Sequence, residues 1–451
     1  MRSLFSRALR YVKKYGFLRF LRLLLKTIIG AFRCILPYSI SAQFKDREVI
    51  LIVSHEASRT GAPILALNIV KGLIGRYNVI VLLLDDGAIL DDFRSIGATV
   101  IVAPRIKEIS PLVRFSVSRL CRRFSFKFAI VNSIESRYVL PALAASRVPT
   151  ISLIHEFASY TRPRTAFRDV FQLSDEVVFS TKITFENAVS ECPQLNENNI
   201  RILPQGQCEV PSDGFTEEQI QEEYARIRNL TRPKSNGNDA FVILGAGSVQ
   251  LRKGVDLFIE CAAKVRKQPG GEKCHFVWVG KGYDPENDVG YSVYLADQLL
   301  RSNLQDYVSF IDETFAIEAA YAAADLFLLS SRLDPLPNVA IDALVHGLPV
   351  LCFDKTTGIT DFLERAGLAN HCIADYLDTD GLARNILELV GSKGLRDSVS
   401  KKSQLIASEY FSMAKYVQQL EELALSTCSR VNQHRFDMQV SLDSDLIKAA
   451  I

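Results

Sequence analysis

From about residue 47 the chain alternates short, uninterrupted apolar runs with stretches whose apolar residues recur at helical spacing. "EVILIVS" is followed by "PILALNIVKGLI", "NVIVLLLDDG" by "LDDFRSIG" and "FAIVNS" by "RYVLPALAAS", and "PTISLIHEF" comes next. A strand buried on both faces shows no polar alternation, so such runs separated by helices predict a parallel sheet with helices on each side. This first doubly wound α/β domain is expected over 46–210, ending near "NIRILPQG".

The polar stretch "CEVPSDGFTEEQIQEEYARIRNLTRPKSNGNDA" contains no apolar strand, and 211–239 reads as a linker or an inserted helix. The pattern then restarts with "FVILGAGS", helical "VDLFIECAAKVRK", "HFVWVG", helical "YSVYLADQLLR", "YVSFID", "ADLFLLSS", helical "NVAIDALVHG" and "PVLCF". A second α/β domain is therefore expected over 240–410, with a C-terminal helix and tail over 411–451. Two such domains facing each other are expected to leave a cleft at the carboxyl ends of their strands, where open α/β sheets bind ligands.

Composition narrows the class. With 48% hydrophobic and 23% charged residues in 451 positions, the chain reads as a soluble globular protein with more than one core. Its net charge of +2 argues against nucleic acid as a partner of the body of the protein. The nine cysteines form no CxxC pair and several lie in apolar runs, which predicts free thiols in a reducing, cytoplasmic compartment, with no zinc site or disulfide framework.

The first 45 residues change the picture locally. They hold ten Lys or Arg and no acid, with Leu, Phe, Tyr and Ile between them at roughly helical spacing. No apolar run approaches the ~20 residues of a membrane span, and the charges run throughout the segment where a secretory signal would place them first. A basic amphipathic segment lying on an anionic membrane surface is expected, which would put the protein peripherally on the inner face of the membrane. The alternative is a solvent-exposed helix capping the first domain.

Candidate chemistry sits in the loops that follow strands. "VSHEASRTGAP" leaves a strand and opens a helix at Gly61, Ala62 and Pro63, where the backbone can come close to an anion. The same pattern is equally satisfied by an ordinary turn. In "GAGSVQLRKGVDLF", Arg252 and Lys253 follow a strand beside a helix start, where two cations would neutralise a diphosphate leaving group. In "LDPLPNVAIDALVHGLPVLCFD", Asp334 sits in a proline-punctuated loop and Asp342 within the following helix. Two carboxylates so placed do not share a helix face, so they are expected to grip different parts of one ligand. His346 reads as a helix C-terminal residue, and "DTD" at 378–380 as a helix cap in preference to a metal triplet.

"RKGVDLF", "FVWVGKG", "YAAADLFLLSSRLDPLPNVAIDALVHGLPVLCFD" and "TTGITDFL" together resemble the donor-binding half of retaining GT-B glycosyltransferases, specifically glycosyltransferase family 4. "SHEASRTGAP" and "LIHEF" resemble the acceptor half, and the likeness extends over roughly 47–430. It implies two facing Rossmann-like domains and transfer of a sugar, with retention, from a nucleotide-sugar donor to a glycan or lipid-linked acceptor. Neither a cofactor nor an obligatory metal is implied. Arg252 and Lys253 would meet the diphosphate together with the helix start at Pro337, Asn338 and Val339, Asn338 capping that helix. Asp342 would take the ribose, Asp334 would face the transferred sugar, and His155 would lie near sugar and acceptor. Thr357 and Gly358, in "TTGITDFL", would add donor contacts. The chain departs from the family in having Asp at both acidic positions, where Glu is usual, and Gly247 where many relatives carry an arginine. A GT-B nucleotide-sugar epimerase and a non-catalytic sugar-nucleotide-binding subunit are the alternatives.

Overall fold

The computed structural model describes residues 46–103, 110–193, 199–211, 215–233 and 239–449, so the basic segment at 1–45 lies outside the described residues. The described chain divides into two compact units. The first takes in the chain up to Val178, Glu191–Arg201 and everything from Val417 onward; the second takes in Phe179–Ser190 and Ile202–Tyr416.

The first unit is built on a seven-stranded sheet in the order β3-β2-β1-β4-β5-β6-β7. Its strands are β1 (Val49–Ser54), β2 (Asn78–Leu83), β3 (Thr99–Val102), β4 (Phe126–Asn132), β5 (Thr150–Ile154), β6 (Glu176–Phe179) and β7 (Ile200–Ile202). Strands β1 to β5 pair in parallel. Ile50 to Val53 of β1 and Val79 to Leu83 of β2 are buried, as expected where helices cover both faces. Each fully buried Val, Leu or Ile of this kind contributes ~1.5–3 kcal/mol relative to exposure.

The helix Met413–Ala449 lies where the sequence predicts a C-terminal helix and tail, and from Val417 it belongs to the first unit. Its Val417, Leu420 and Ala424 are buried, and Glu421 accepts from Tyr77 Oη (2.8 Å) and pairs with Arg76 (2.7 Å). Arg430 reaches Glu176, a fully buried carboxylate of β6, at 2.6 Å. Removing Arg430 would leave that buried charge with only the more distant Arg201, 3.7 Å away.

The second unit has a six-stranded sheet in the order β10-β9-β8-β11-β12-β13. Its strands are β8 (Phe241–Ala246), β9 (Cys274–Val279), β10 (Val308–Ile311), β11 (Leu326–Leu329), β12 (Val350–Phe353) and β13 (Ile373–Ala374), all paired in parallel. The order turns back between β8 and β11, and the loops leaving these two strands lie side by side. Open α/β sheets bind ligands at this kind of switch point. The polar stretch after residue 211 contains the helix Glu217–Thr231, started by a Thr216/Gln219 capping box. It is tied into the second unit: Glu223 accepts from Thr314 (2.7 Å) and Phe215 stacks on Phe315 at 4.0 Å.

The helix Lys182–Glu191, up to Ser190, also belongs to the second unit, although its sequence lies among first-unit strands. Gly358 packs against Thr181 so closely that an added Cβ would fall 2.1 Å from Thr181 Cγ2.

Candidate functional site

Strand β8 ends at Ala246, and the chain makes a single 3-10 turn, Leu251–Lys253, before the helix Val255–Arg266. Gly254, between turn and helix, is left-handed (φ +67°), and a Cβ there would lie 2.0 Å from Ser330 O. Only glycine lets the turn press against the loop leaving β11. Arg332 N donates to Arg252 O at 2.9 Å, and Asp334 N to Thr356 O at 2.8 Å. Three strand-end loops are thereby joined by their backbones.

This packing gathers the charged residues. Lys253 Nζ makes a short hydrogen-bonded ion pair with Asp334 Oδ2, and Arg252 Nη1 lies 3.2 Å from Asp334 Oδ1. Lys253 is 8% and Asp334 5% exposed, whereas the Arg252 side chain is half exposed. The carboxylate is therefore embedded and carries one buried cation and one that reaches solvent. Gly247 explains the missing arginine. Its φ of +136° is one that L side chains rarely adopt, and a Cβ there would meet Lys253 Cε at 3.2 Å. The space beside position 247 is filled by the stem of Lys253, and Arg252 is the second cation on Asp334.

The helix Asn338–Val345 follows Asp334 in the chain. One sequence expectation is corrected here. Its N-cap is Pro337 in extended conformation, with no side-chain cap, because Asn338 Oδ1 accepts from Gln205 Nε2 at 2.5 Å. Proline has no N–H, so the first helix amides, which lack intrahelical partners, are those of Asn338 and Val339. Thr357 and Gly358 are buried: Thr357 Oγ1 accepts from Ile359 N (3.3 Å), and Gly358 N donates to Pro335 O (2.7 Å). They hold the loop after β12 against the Asp334 loop.

Asp342 lies one turn further along the helix. Its Oδ1 accepts from Gln207 Nε2 at 3.1 Å. It faces a cavity of about 380 Å³, also lined by Gln207, Cys208, Glu318, His346 and Met413. Burial pushes its carboxyl up to about 7; the Gln207 hydrogen bond opposes the rise and the Glu318 charge adds to it. A carboxyl raised in the folded state binds more protons folded than unfolded between about pH 4 and 7. Stability should fall as pH rises through that window, the full loss being reached above it. Thermal unfolding at pH 5 and pH 8 should therefore show a larger drop for the wild type than for Asp342→Asn; parallel behaviour would mean that Asp342 titrates normally. His346 is the helix C-cap, its ring 5.3 Å from that of Tyr321, and Asp378 caps the helix Thr379–Gly391 through Gly381 N.

Gly61, Ala62 and His155 lie in the first unit. The helix Gly61–Leu73 opens after Thr60, and Ala62 O accepts from Asn132 Nδ2 at 2.7 Å. Asn132 Oδ1 is 2.9 Å from His155 Nε2. With the amide nitrogen engaged by Ala62, Asn132 presents an acceptor, so His155 Nε2 is the donor and Nδ1 carries the lone pair. Nδ1 is buried and has no hydrogen-bond partner among the described residues. Burial, helped by His55, lowers the ring to about 4, so His155 is neutral at physiological pH. Sequence reading missed Asn132, whose only signal was a polar residue ending the apolar run "FAIVN". It also missed Glu156, which accepts from Ser133 Oγ, from Ile134 N (3.3 Å) and from His155 N (3.0 Å).

Among the described residues no group of three or more His, Cys, Asp or Glu is placed to hold a metal ion, and no helix is long and apolar enough to cross a membrane. The eight described cysteines are free.

Residues 240–392 match the family model described as Glycosyl transferases group 1. The chain is 24% identical over 260 residues to the mannosylfructose-phosphate synthase of Agrobacterium fabrum, covering 56% of this chain and 53% of that protein. It is 30% identical over 165 residues to the lipopolysaccharide core biosynthesis glycosyltransferase LpsE of Rhizobium meliloti, covering 36% and 44%. The chain thus spans about half the length of these relatives. A crystal structure of Anabaena HepE in complex with UDP and glucose superposes with a TM-score of 0.67 at 19% identity, covering 83% of this chain and 98% of that one. The fold is GT-B, and the residues that match the Glycosyl transferases group 1 model lie in the second unit.

Proposed function

We propose that the protein is a glycosyltransferase that moves a sugar from a nucleotide-diphosphate sugar to an acceptor hydroxyl, with retention, in the manner of glycosyltransferase family 4. The observation that carries this reading is the pair of cations, Lys253 and Arg252, held on one carboxylate, Asp334, at the switch point of the second sheet, with the helix Asn338–Val345 following Asp334 in the chain. Two cations and unpaired amides make a site for a dianionic leaving group, and they act most strongly on charge that develops as the glycosidic bond breaks. In this scheme the diphosphate departs toward Arg252, Lys253 and the amides, and the acceptor oxygen attacks from the same face. The proton it loses goes to the departing phosphate. Positive charge from these side chains takes the place of an obligatory metal. Asp334 faces the sugar and Asp342 accepts hydrogen bonds from the ribose hydroxyls, within the cavity that it shares with Gln207. His155, with Gly61 and Ala62, is assigned to the sugar and acceptor, its neutral Nδ1 acting as an acceptor for a hydroxyl.

The relatives' names support the rest of this reading: lipopolysaccharide core biosynthesis supports a glycan or lipid-linked acceptor, and HepE bound to UDP and glucose a nucleotide-sugar donor. Calorimetric titration of the wild type with UDP, GDP and ADP tests the donor half. One of them should bind, and Asp342→Ala should weaken it by about tenfold, the worth of a ~1.4 kcal/mol hydrogen-bonding contribution. Asp334→Asn should leave this affinity nearly unchanged and lower turnover. Equal losses of affinity in both variants would refute the division of labour.

The ten cations in the first 45 residues support a peripheral position on an anionic, inner membrane face. Full-length protein should sediment with vesicles containing acidic lipid at low salt and progressively less as salt shortens the Debye length. The variant with Arg19, Arg22 and Lys26 changed to Glu should stay largely in the supernatant. Equal sedimentation of the two would remove the segment from membrane binding.

A further inference from the structure

Beside the cation turn lies a second ionic cluster to which neither the sequence nor the proposed reaction assigns a role. Arg332 makes a two-pronged pair with Asp256, Nη1 to Oδ1 and Nη2 to Oδ2, both at 2.7 Å. The same Nη1 donates to Leu251 O at 3.0 Å. Tyr291 Oη donates to Asp256 Oδ1 at 2.7 Å, and Asp256 N donates back to Tyr291 Oη at 3.1 Å. Both charged side chains are about three-quarters buried.

We propose that Arg332, Asp256 and Tyr291 form a clamp that positions Arg252 and Lys253 for the donor diphosphate. The turn Leu251–Lys253 is one 3-10 turn, and such turns have poor hydrogen-bond geometry and little stiffness of their own. Leu251 is 59% exposed, so side-chain packing does not anchor it. What holds it is polar: the Arg332 guanidinium on Leu251 O, and the Arg332 and Leu333 amides on Arg252 O at 2.9 and 3.3 Å. Arg332 therefore grips the turn with its side chain and its backbone at once, two residues before Asp334. Asp256, in the first turn of the following helix, fixes the guanidinium plane. Burial alone would raise the Asp256 carboxyl, yet the Arg332 and Tyr291 hydrogen bonds outweigh it and hold the group below the usual carboxylate range. The planar fork matters, because a lysine ammonium cannot span two carboxylate oxygens and a carbonyl in this geometry. Arg332, Asp256 and Tyr291 are positioning residues: they act through Arg252 and Lys253.

The inference rests on the nucleotide-sugar reading, and a double-mutant cycle separates the two. The tightest binder among UDP, GDP and ADP is titrated into the full-length wild type, Lys253→Ala, Arg332→Ala, Arg332→Lys, Tyr291→Phe and the Lys253→Ala/Arg332→Ala double variant, each checked for a native near-UV circular dichroism spectrum. Arg332→Ala should weaken binding by about tenfold, Arg332→Lys should not restore it, and in the Lys253→Ala background the Arg332 effect should shrink to about twofold. Tyr291→Phe, which keeps the ion pair and removes one hydroxyl, should fold normally and lose about two- to threefold, which serves as the test should Arg332→Ala fail to fold. Wild-type affinity in Arg332→Ala or Tyr291→Phe, or full additivity with Lys253→Ala, overturns the clamp and leaves the donor site standing. Wild-type affinity in Lys253→Ala, or no binding of any of the three diphosphates by the wild type, overturns both.

Discussion

Lys253→Ala should lower turnover of the preferred nucleotide sugar by about 10²–10³, the loss expected when one preorganised charged donor is taken from a developing oxyanion. The size of the effect follows from where the ammonium sits. It is buried, held on Asp334 and packed beside Gly247, so it reaches the phosphate site already desolvated and oriented. Arg252→Ala should cost less, since its side chain is half exposed and its bond to Asp334 is longer, 3.2 Å. Because Lys253→Ala leaves Asp334 with Arg252 as its remaining cation, thermal unfolding should accompany the kinetics, so that lost folding is not read as lost catalysis. Initial rates of nucleoside diphosphate release measure the effect. Unchanged turnover in both single variants would remove the two cations from the site.

Gly254→Ala should come close to the same loss by a different route. A non-glycine residue at φ +67° costs ~1–2 kcal/mol, and the new Cβ would lie 2.0 Å from Ser330 O, which no side-chain rotation relieves. The turn would have to lift away from the β11 loop, carrying Arg252 and Lys253 with it. Turnover should fall by at least about tenfold together with a lower melting temperature, since a displacement of ~1 Å already costs on the order of 10²-fold in a positioned site. Gly391→Ala is the control: a Cβ there meets nothing within 4 Å, and both properties should stay near wild type. Equal behaviour of the two variants would mean that the close approach at Gly254 does not position the turn.

How much of this was legible beforehand varies by element, for physical reasons. Strands with long apolar runs, such as "VILIVS" at β1 and "FVILGA" at β8, announced themselves because both faces are covered. Strand β3 has four residues, two of them at least partly exposed besides Thr99, and β13 has two, too short for any periodicity to show. Strand β6 was hidden by its first residue, Glu176, a buried carboxylate whose nearer cation, Arg430, arrives from 254 positions away. Long-range contacts likewise decide unit membership: residues 182–190 and the helix from Val417 onward join the unit that their contacts dictate, whatever their place in the sequence.

At the site, Arg252, Lys253 and Asp334 could be singled out as charges in loops that follow strands, and Asp342 as an acid in the apolar helix after the Asp334 loop. That Lys253 and Asp334 hold each other, 81 positions apart, could not. Gly247 read as a missing arginine, and the structure gives it a purpose as room for Lys253. Asn338 looked like a helix cap, and Gln205 takes its oxygen instead. Gln207, Asn132 and Arg332 act through partners far away in sequence, which a local pattern does not show.

The most direct measurement of the central claim is a crystal structure of the full-length protein with its tightest-binding nucleoside diphosphate. The account predicts phosphate oxygens within ~2.7–3.1 Å of Lys253 Nζ and of the Asn338 and Val339 amides, with Arg252 turned toward the same phosphates and a ribose hydroxyl on Asp342. A diphosphate bound away from these groups, with Lys253 still closed on Asp334, would contradict it.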